Sequence, residues 1–229
     1  MPSSSSSRRQ EWQEGLFIAF SLPLLAGLAF FVLGCFRLFL VPSSSMEPAF
    51  SPGNYIVVSR LETGFNQHTF DLFRLPIVHH WPKGKIKRGD TVVFRHPGEH
   101  RTFYIKRIIG LPGDTLSLRK GRLVLNGEVV VREPLAPIDL PDPWGHAKPV
   151  PAYRELLPDG VPHTIIEAAD DDGMFDNTAE FAVPEGHVFV MGDNRDNSND
   201  SRHEIGFVPI DLINGKVVLS FKVPGGEGQ

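Results

Sequence analysis

Phe103-Tyr104-Ile105-Lys106-Arg107-Ile108-Ile109-Gly110 reads as a β-strand hydrophobic on both faces. Strict alternation puts Tyr104, Lys106 and Ile108 on one side and Phe103, Ile105, Arg107 and Ile109 on the other. Lys106 therefore stands between large apolar neighbours. Burial there disfavours an ammonium ion and pushes its pKa down, the condition for a lysine general base. The alternative is a lysine whose stem covers apolar surface while its head reaches water.

Outward from this strand the pattern repeats. Tyr55 to Ser59, Thr91 to Arg95, Thr164 to Glu167, Val188 to Met191 and Lys216 to Lys222 are short β-branched runs between turn signals. Leu123-Val124-Leu125, Asn126-Gly127 and Val129-Val130-Val131 spell a hairpin, with Asn-Gly supplying the positive φ of its turn. Residues 132–162 carry eight prolines and few apolar runs, which predicts an extended loop or ribbon. Asp170, Asp171 and Asp172 read as a solvated acidic turn. The expected fold is mainly β, and the 22 glycines and 20 prolines agree with a chain of many turns. A net charge of -4 argues against a nucleic-acid partner. With Cys35 the single cysteine, neither an intrachain disulfide nor a thiolate zinc site can form. No metal or other cofactor is expected.

The N-terminal fifth is different. A polar tail over 1–14, with Arg8 and Arg9, precedes the 22 residues from Gly15 to Phe36, which lack any carboxylate, Lys, Arg or His. As a helix rising about 1.5 Å per residue, this run would extend ~33 Å and cross a bilayer core. The expectation is a single transmembrane anchor over 15–36, with residues 37–229 on one side of the membrane. The two arginines before the span, against Arg37 after it, give a slight bias toward a cytoplasmic N-terminus. A cleaved signal would have a shorter apolar region. Val32-Leu33-Gly34-Cys35 also loosely matches the sequence before a lipidated cysteine. Between 61 and 84, Phe65, Phe70, Phe73 and Trp81 suit either contact with a bilayer or buried packing.

Just beyond the apolar run lies Val41-Pro42-Ser43-Ser44-Ser45-Met46-Glu47-Pro48. A serine needs a base to act as a nucleophile. No Gly-x-Ser-x-Gly elbow is present, and His79, His80, His96 and His100 fall in turn-like stretches without an evident carboxylate partner. Arg88 to Pro97 forms a turn into a strand. Met191 to Arg202 follows another strand and is almost devoid of apolar residues. Arg195 and Arg202 oppose a dication in that loop, and its interleaved Asp, Asn and Arg suit a salt-bridged framework.

Together these segments resemble bacterial type I signal peptidases. The resemblance rests on Pro42 to Pro48, Arg88 to Phe94, Tyr104 to Arg107 continuing through Gly110 to Asp114, and Gly192 to Arg202 followed by Gly206-Phe207-Val208-Pro209. It implies a β-rich Ser/Lys catalytic domain over 37–229, with 115–185 as a weaker-matching β insertion. Position by position, it implies Ser45 as nucleophile and Lys106 as general base. Ser198 would orient the lysine, and Ser43 would help the Ser45 backbone N–H form an oxyanion hole. Met46, Tyr104 and Ile105 would meet the substrate, with Met46 in a shallow apolar pocket favouring Ala. Arg107 with Asp193, and Asp200 with Arg202, would brace the site. The implied activity is removal of signal peptides from exported preproteins after Ala-x-Ala, by a single-pass enzyme facing outward from the bacterial cytoplasmic membrane. Signal peptides and membrane lipid are the implied partners. Rival readings are a self-cleaving repressor relative, which would need a partner domain, an inactive envelope-anchored binding protein, and a calcium-binding module.

Overall fold

A computed structural model describes residues 19, 21–25, 27, 32, 34–65, 84–99, 102–141, 146–169 and 173–223. The chain divides into two compact units, Met1–Arg37 and Leu38–Gln229. Most of the expected anchor lies outside the described residues. Those of its positions that are described are helical at 19, 21–25, 27, 32, 34 and 35, and strand begins at Phe36. No helix among the described residues is long and apolar enough to cross a membrane. Asp170–Asp172 and residues 66–83 also lie outside the described residues.

The strands, in chain order, are β1 (Phe36–Leu40), β2 (Tyr55–Ser59), β3 (Thr91–Arg95), β4 (Phe103–Gly110), β5 (Thr115–Arg119), β6 (Arg122–Leu125), β7 (Glu128–Val129), β8 (Val131–Pro141), β9 (Ala147–Leu156), β10 (His163–Ile166), β11 (Phe181–Ala182), β12 (His187–Met191), β13 (Val208–Pro209) and β14 (Ile213–Phe221). A seven-stranded sheet runs β1-β2-β14-β3-β4-β12-β13, accompanied by sheets ordered β11-β5-β6-β7 and β10-β9-β8. Beyond Leu38, the described helices are the 3-10 turns Ser44–Met46 and Ile210–Leu212.

Alternation along β4 sorts its side chains as the sequence predicts. Tyr104 and Ile108 pack with Val92, Phe94, Val188 and Val190. Phe103 and Ile105 pack instead with Val41, Met46, Ile56, Val58 and Val93. Asn126 (φ 53) and Gly127 (φ 84) form the tight turn between β6 and β7. The proline-rich 132–162 segment is mostly ribbon, with β8 and β9 paired from Val131↔Leu156 to Pro141↔Ala147. Its register slips between Leu135 and Ile138, where Ala136 and Pro137 face Pro151. The two prolines there have no N–H to give a ladder, so a bulge accommodates them.

Strand β12 covers only part of β4. It pairs with β4 from Gly110 back to Arg107, whereas β3 follows β4 all the way to Phe103. The Phe103–Lys106 half of β4 therefore has one ladder edge that β12 does not fill.

Candidate active site

Val41 and Met46 are buried apolar anchors on either side of the serine cluster. Between them the chain turns as a short 3-10 segment, Ser44–Met46. The turn projects Ser45 toward β4, and its hydroxyl accepts a 2.7 Å hydrogen bond from Lys106 Nζ. Lys106 also donates to the Ile105 carbonyl at 3.0 Å. Only 3% of Lys106 and 8% of Ser45 are exposed, so the lysine head is held inside and does not reach out to water. Burial is the main influence on its pKa and lowers it to about 8, with Arg202 acting in the same direction and Asp200 and Asp193 opposing. Tyr104 lies alongside, with its ring centroid 5.9 Å from Nζ.

The nearby carboxylates are already engaged by arginines. Arg107 Nε and Nη2 donate to Asp193 at 2.8 and 2.6 Å, and Nη1 reaches the Gly89 carbonyl at 2.8 Å. Arg202 Nε and Nη2 each donate to Asp200 at 2.9 Å. Asp200 further accepts from the backbone N–H of Gly192 at 3.1 Å, and its carboxyl stays below the usual range because these bonds outweigh its burial. Such two-pronged, fully hydrogen-bonded pairs fix direction as well as charge.

Ser43 Oγ lies 3.3 Å from Ser45 Oγ. Ser198 is 8% exposed, and its hydroxyl has no hydrogen-bond partner among the described residues. Ser198 sits against Gly192: a Cβ on that glycine would fall 2.3 Å from Ser198 Oγ and 2.5 Å from the Ser45 carbonyl. Only glycine allows this approach. Met46 has no exposed surface and forms part of the core beneath the turn. Ile105 is 7% exposed and Tyr104 half-buried, both on the part of β4 that β12 leaves unpaired.

Several supporting residues were legible in sequence only as members of a polar, salt-bridged loop, without their partners. Asn194 donates its backbone N–H to the Ser45 carbonyl at 3.2 Å and its side-chain amide to the Ser44 carbonyl at 3.2 Å. Asn197 Nδ2 donates to Ser44 Oγ at 2.8 Å. Arg195 is buried against Glu155 of β9 and donates to the Gly192 carbonyl at 3.2 Å. Asparagines in a polar loop look alike in sequence, and the serine they hold is 150 residues away. Of the histidines considered as bases, His96 has Nδ1 occupied by the N–H groups of Gly98 and Glu99, both at 3.1 Å. His79, His80 and His100 lie outside the described residues.

Residues 10–222 match the family described as "Signal peptidase, peptidase S26". Curated relatives include a signal peptidase I of Pseudomonas aeruginosa, 38% identical over 72% of this chain and 54% of that protein. A second is from Rickettsia typhi, 34% identical over 78% and 69%. A third, from Rickettsia canadensis, is 32% identical over 91% and 77%. The chain thus spans about half the length of the Pseudomonas relative. Among solved structures, a signal peptidase I from Enterococcus faecalis is 26% identical, aligned over 58% of this chain and 97% of that one with a TM-score of 0.34.

Proposed function

The chain belongs to the peptidase S26 family of signal peptidases, a family of serine endopeptidases, and from that premise we propose that it removes signal peptides by a Ser45/Lys106 mechanism. The observation that carries this reading is the 2.7 Å contact between a buried lysine amine and a buried serine hydroxyl. Neutral Lys106 takes the Ser45 proton as Oγ attacks the scissile carbonyl. The resulting oxyanion is met by the Ser45 N–H and the Ser43 hydroxyl, and each such donor contributes about 2.7–4 kcal/mol. Lys106 then returns the proton to the departing amine, leaving an acyl ester on Ser45. A water deprotonated by the same amine hydrolyses that ester and regenerates the hydroxyl.

Ser198, a buried hydroxyl with no hydrogen-bond partner among the described residues, is suited to hold the amine in line. The segment before the cut adds as a strand along Phe103–Lys106, beside Tyr104 and Ile105. A small residue such as Ala precedes the bond, with fully buried Met46 forming the floor beneath the serine turn. The apolar run over 15–36 anchors the enzyme as a single pass, with 37–229 on the outer face of the cytoplasmic membrane. Proximity to lipid is supported by the exposed apolar side chains of Leu38, Leu40, Leu219, Phe221 and Val223.

The test is cleavage of a preprotein carrying Ala-x-Ala at its junction by wild type, Ser45→Ala and Lys106→Ala in detergent or lipid. Cleavage after the final Ala by wild type, with both variants folded and inert, supports the reading. A Lys106→Ala variant that still cuts well removes the proposed base.

A further inference from the structure

Adjoining the Ser45 turn is a groove of about 940 Å³, toward the upper end of the ~300–1,000 Å³ typical of ligand clefts. Ser44 and Asn194 lie at its catalytic end. Pro48 lines it on the serine-turn side, and Ile138, Leu140 and Val150 of the β8–β9 ribbon line it on another. We propose that this groove receives the first residues after the scissile bond, as an extended segment with an apolar side chain packed on the ribbon.

Three observations choose that occupant; the inference rests on the function proposed above. First, the groove is continuous with the catalytic turn, because Ser44 and Asn194 belong both to its lining and to the hydrogen bonds that position Ser45. Second, its lining includes no residue of β1 or β4. The segment before the cut lies along β4, so this groove is left for the chain beyond the bond. Third, the ribbon wall is fixed with respect to the nucleophile. Ile166 makes a parallel bridge to Asn194, the Ala169 N–H bonds Asp196 at 2.8 Å, and buried Arg195 pairs with Glu155 of β9. Ile138 and Leu140 are only half-buried, packed against the Val150, Ala152 and Ile166 cluster, and so present apolar surface to an incoming chain.

The test uses the full chain in detergent and two peptides identical up to the junction. One ends in a small fluorogenic amine directly after the cut, and the other continues five residues with Leu at the third. For wild type the longer peptide should be favoured in kcat/KM by about 10-fold or more, the scale of one apolar side chain in a pocket. Leu140→Asp and Ile138→Asp should each remove that advantage while still cutting the short peptide at the wild-type rate; Leu140→Met should keep it. An advantage that survives both Asp variants, or no advantage in wild type, overturns the inference while leaving the Ser/Lys reading intact. If wild type cuts neither peptide, the functional reading fails, and this inference falls with it.

Discussion

Two lysines stand in register with Val92 in the large sheet, Lys106 across from it on β4 and Lys216 across from it on β14. Their surroundings drive them in opposite directions. Burial weighs against charge at Lys216, but hydrogen bonds from its Nζ to Asp90 at 2.9 Å and Glu62 at 3.0 Å outweigh it and raise its pKa. Lys106 is nearly sealed from water and meets a hydroxyl and a carbonyl, and its pKa falls to about 8. Carboxylates do lie near Lys106, but Asp193 and Asp200 are engaged by Arg107 and Arg202. One sheet thus favours the charged form of one lysine and the neutral form of the other. Depth supplies the desolvation, and the arginines keep the nearby acids from undoing it.

Replacing each lysine by an uncharged residue separates the two most sharply. Lys106→Ala should lower turnover of a signal-peptide substrate by about 10²–10⁴-fold, whereas Lys216→Ala should leave it within about twofold; equal losses would mean that Lys106 acts only structurally. Next in size, Asp193→Ala leaves Arg107 buried without its acid and should cost about 3–5 kcal/mol in urea unfolding. A loss below ~1 kcal/mol, the value typical of a surface pair, would show that the brace is not needed. Gly192→Ala pushes a methyl group toward the Ser45 carbonyl and the Ser198 hydroxyl. A displacement of about 1 Å there should lower kcat by ~10²-fold and also lower the melting temperature, because a backbone carbonyl must give way; an unchanged kcat would mean that the loop yields without moving the serine. The smallest effect belongs to Asp90→Asn. It removes the charge of one of two acids from a half-buried lysine that keeps its bond to Glu62, and should change stability by only about 1 kcal/mol, without altering the pH–rate profile.

Much of the sheet could be read from the chain, because β2 and β3 are short β-branched runs bounded by turn residues and β4 is apolar on both faces. Asn126-Gly127 likewise encodes its own turn. Lys106 stood out because an ionisable residue in an apolar strand is costly, but its contact with Ser45 spans 61 residues and no local pattern encodes it. The resemblance of the motifs supplied that pairing. Strand β1 was hidden because Phe36–Leu40 follows straight on from the long apolar run with only Arg37 intervening, so it read as the end of a membrane helix and its flank. The prolines of 132–162 made an extended loop or ribbon legible, but not the register and bulge that shape its groove. The Arg195–Glu155 pair links residues 40 apart on different elements and leaves no periodic trace.

The most direct test of Lys106 as the base is its titration in the folded enzyme, followed by NMR of ¹³Cε-labelled lysine and assigned by loss of its signal in Lys106→Ala. Lys106 should show a midpoint of about 8, with Lys216 titrating above the ordinary lysine value of 10.5, and kcat/KM should rise with pH through the lower midpoint as the amine becomes neutral. A Lys106 midpoint at 10.5, together with a rate that does not change around pH 8, would contradict a lysine base at this site.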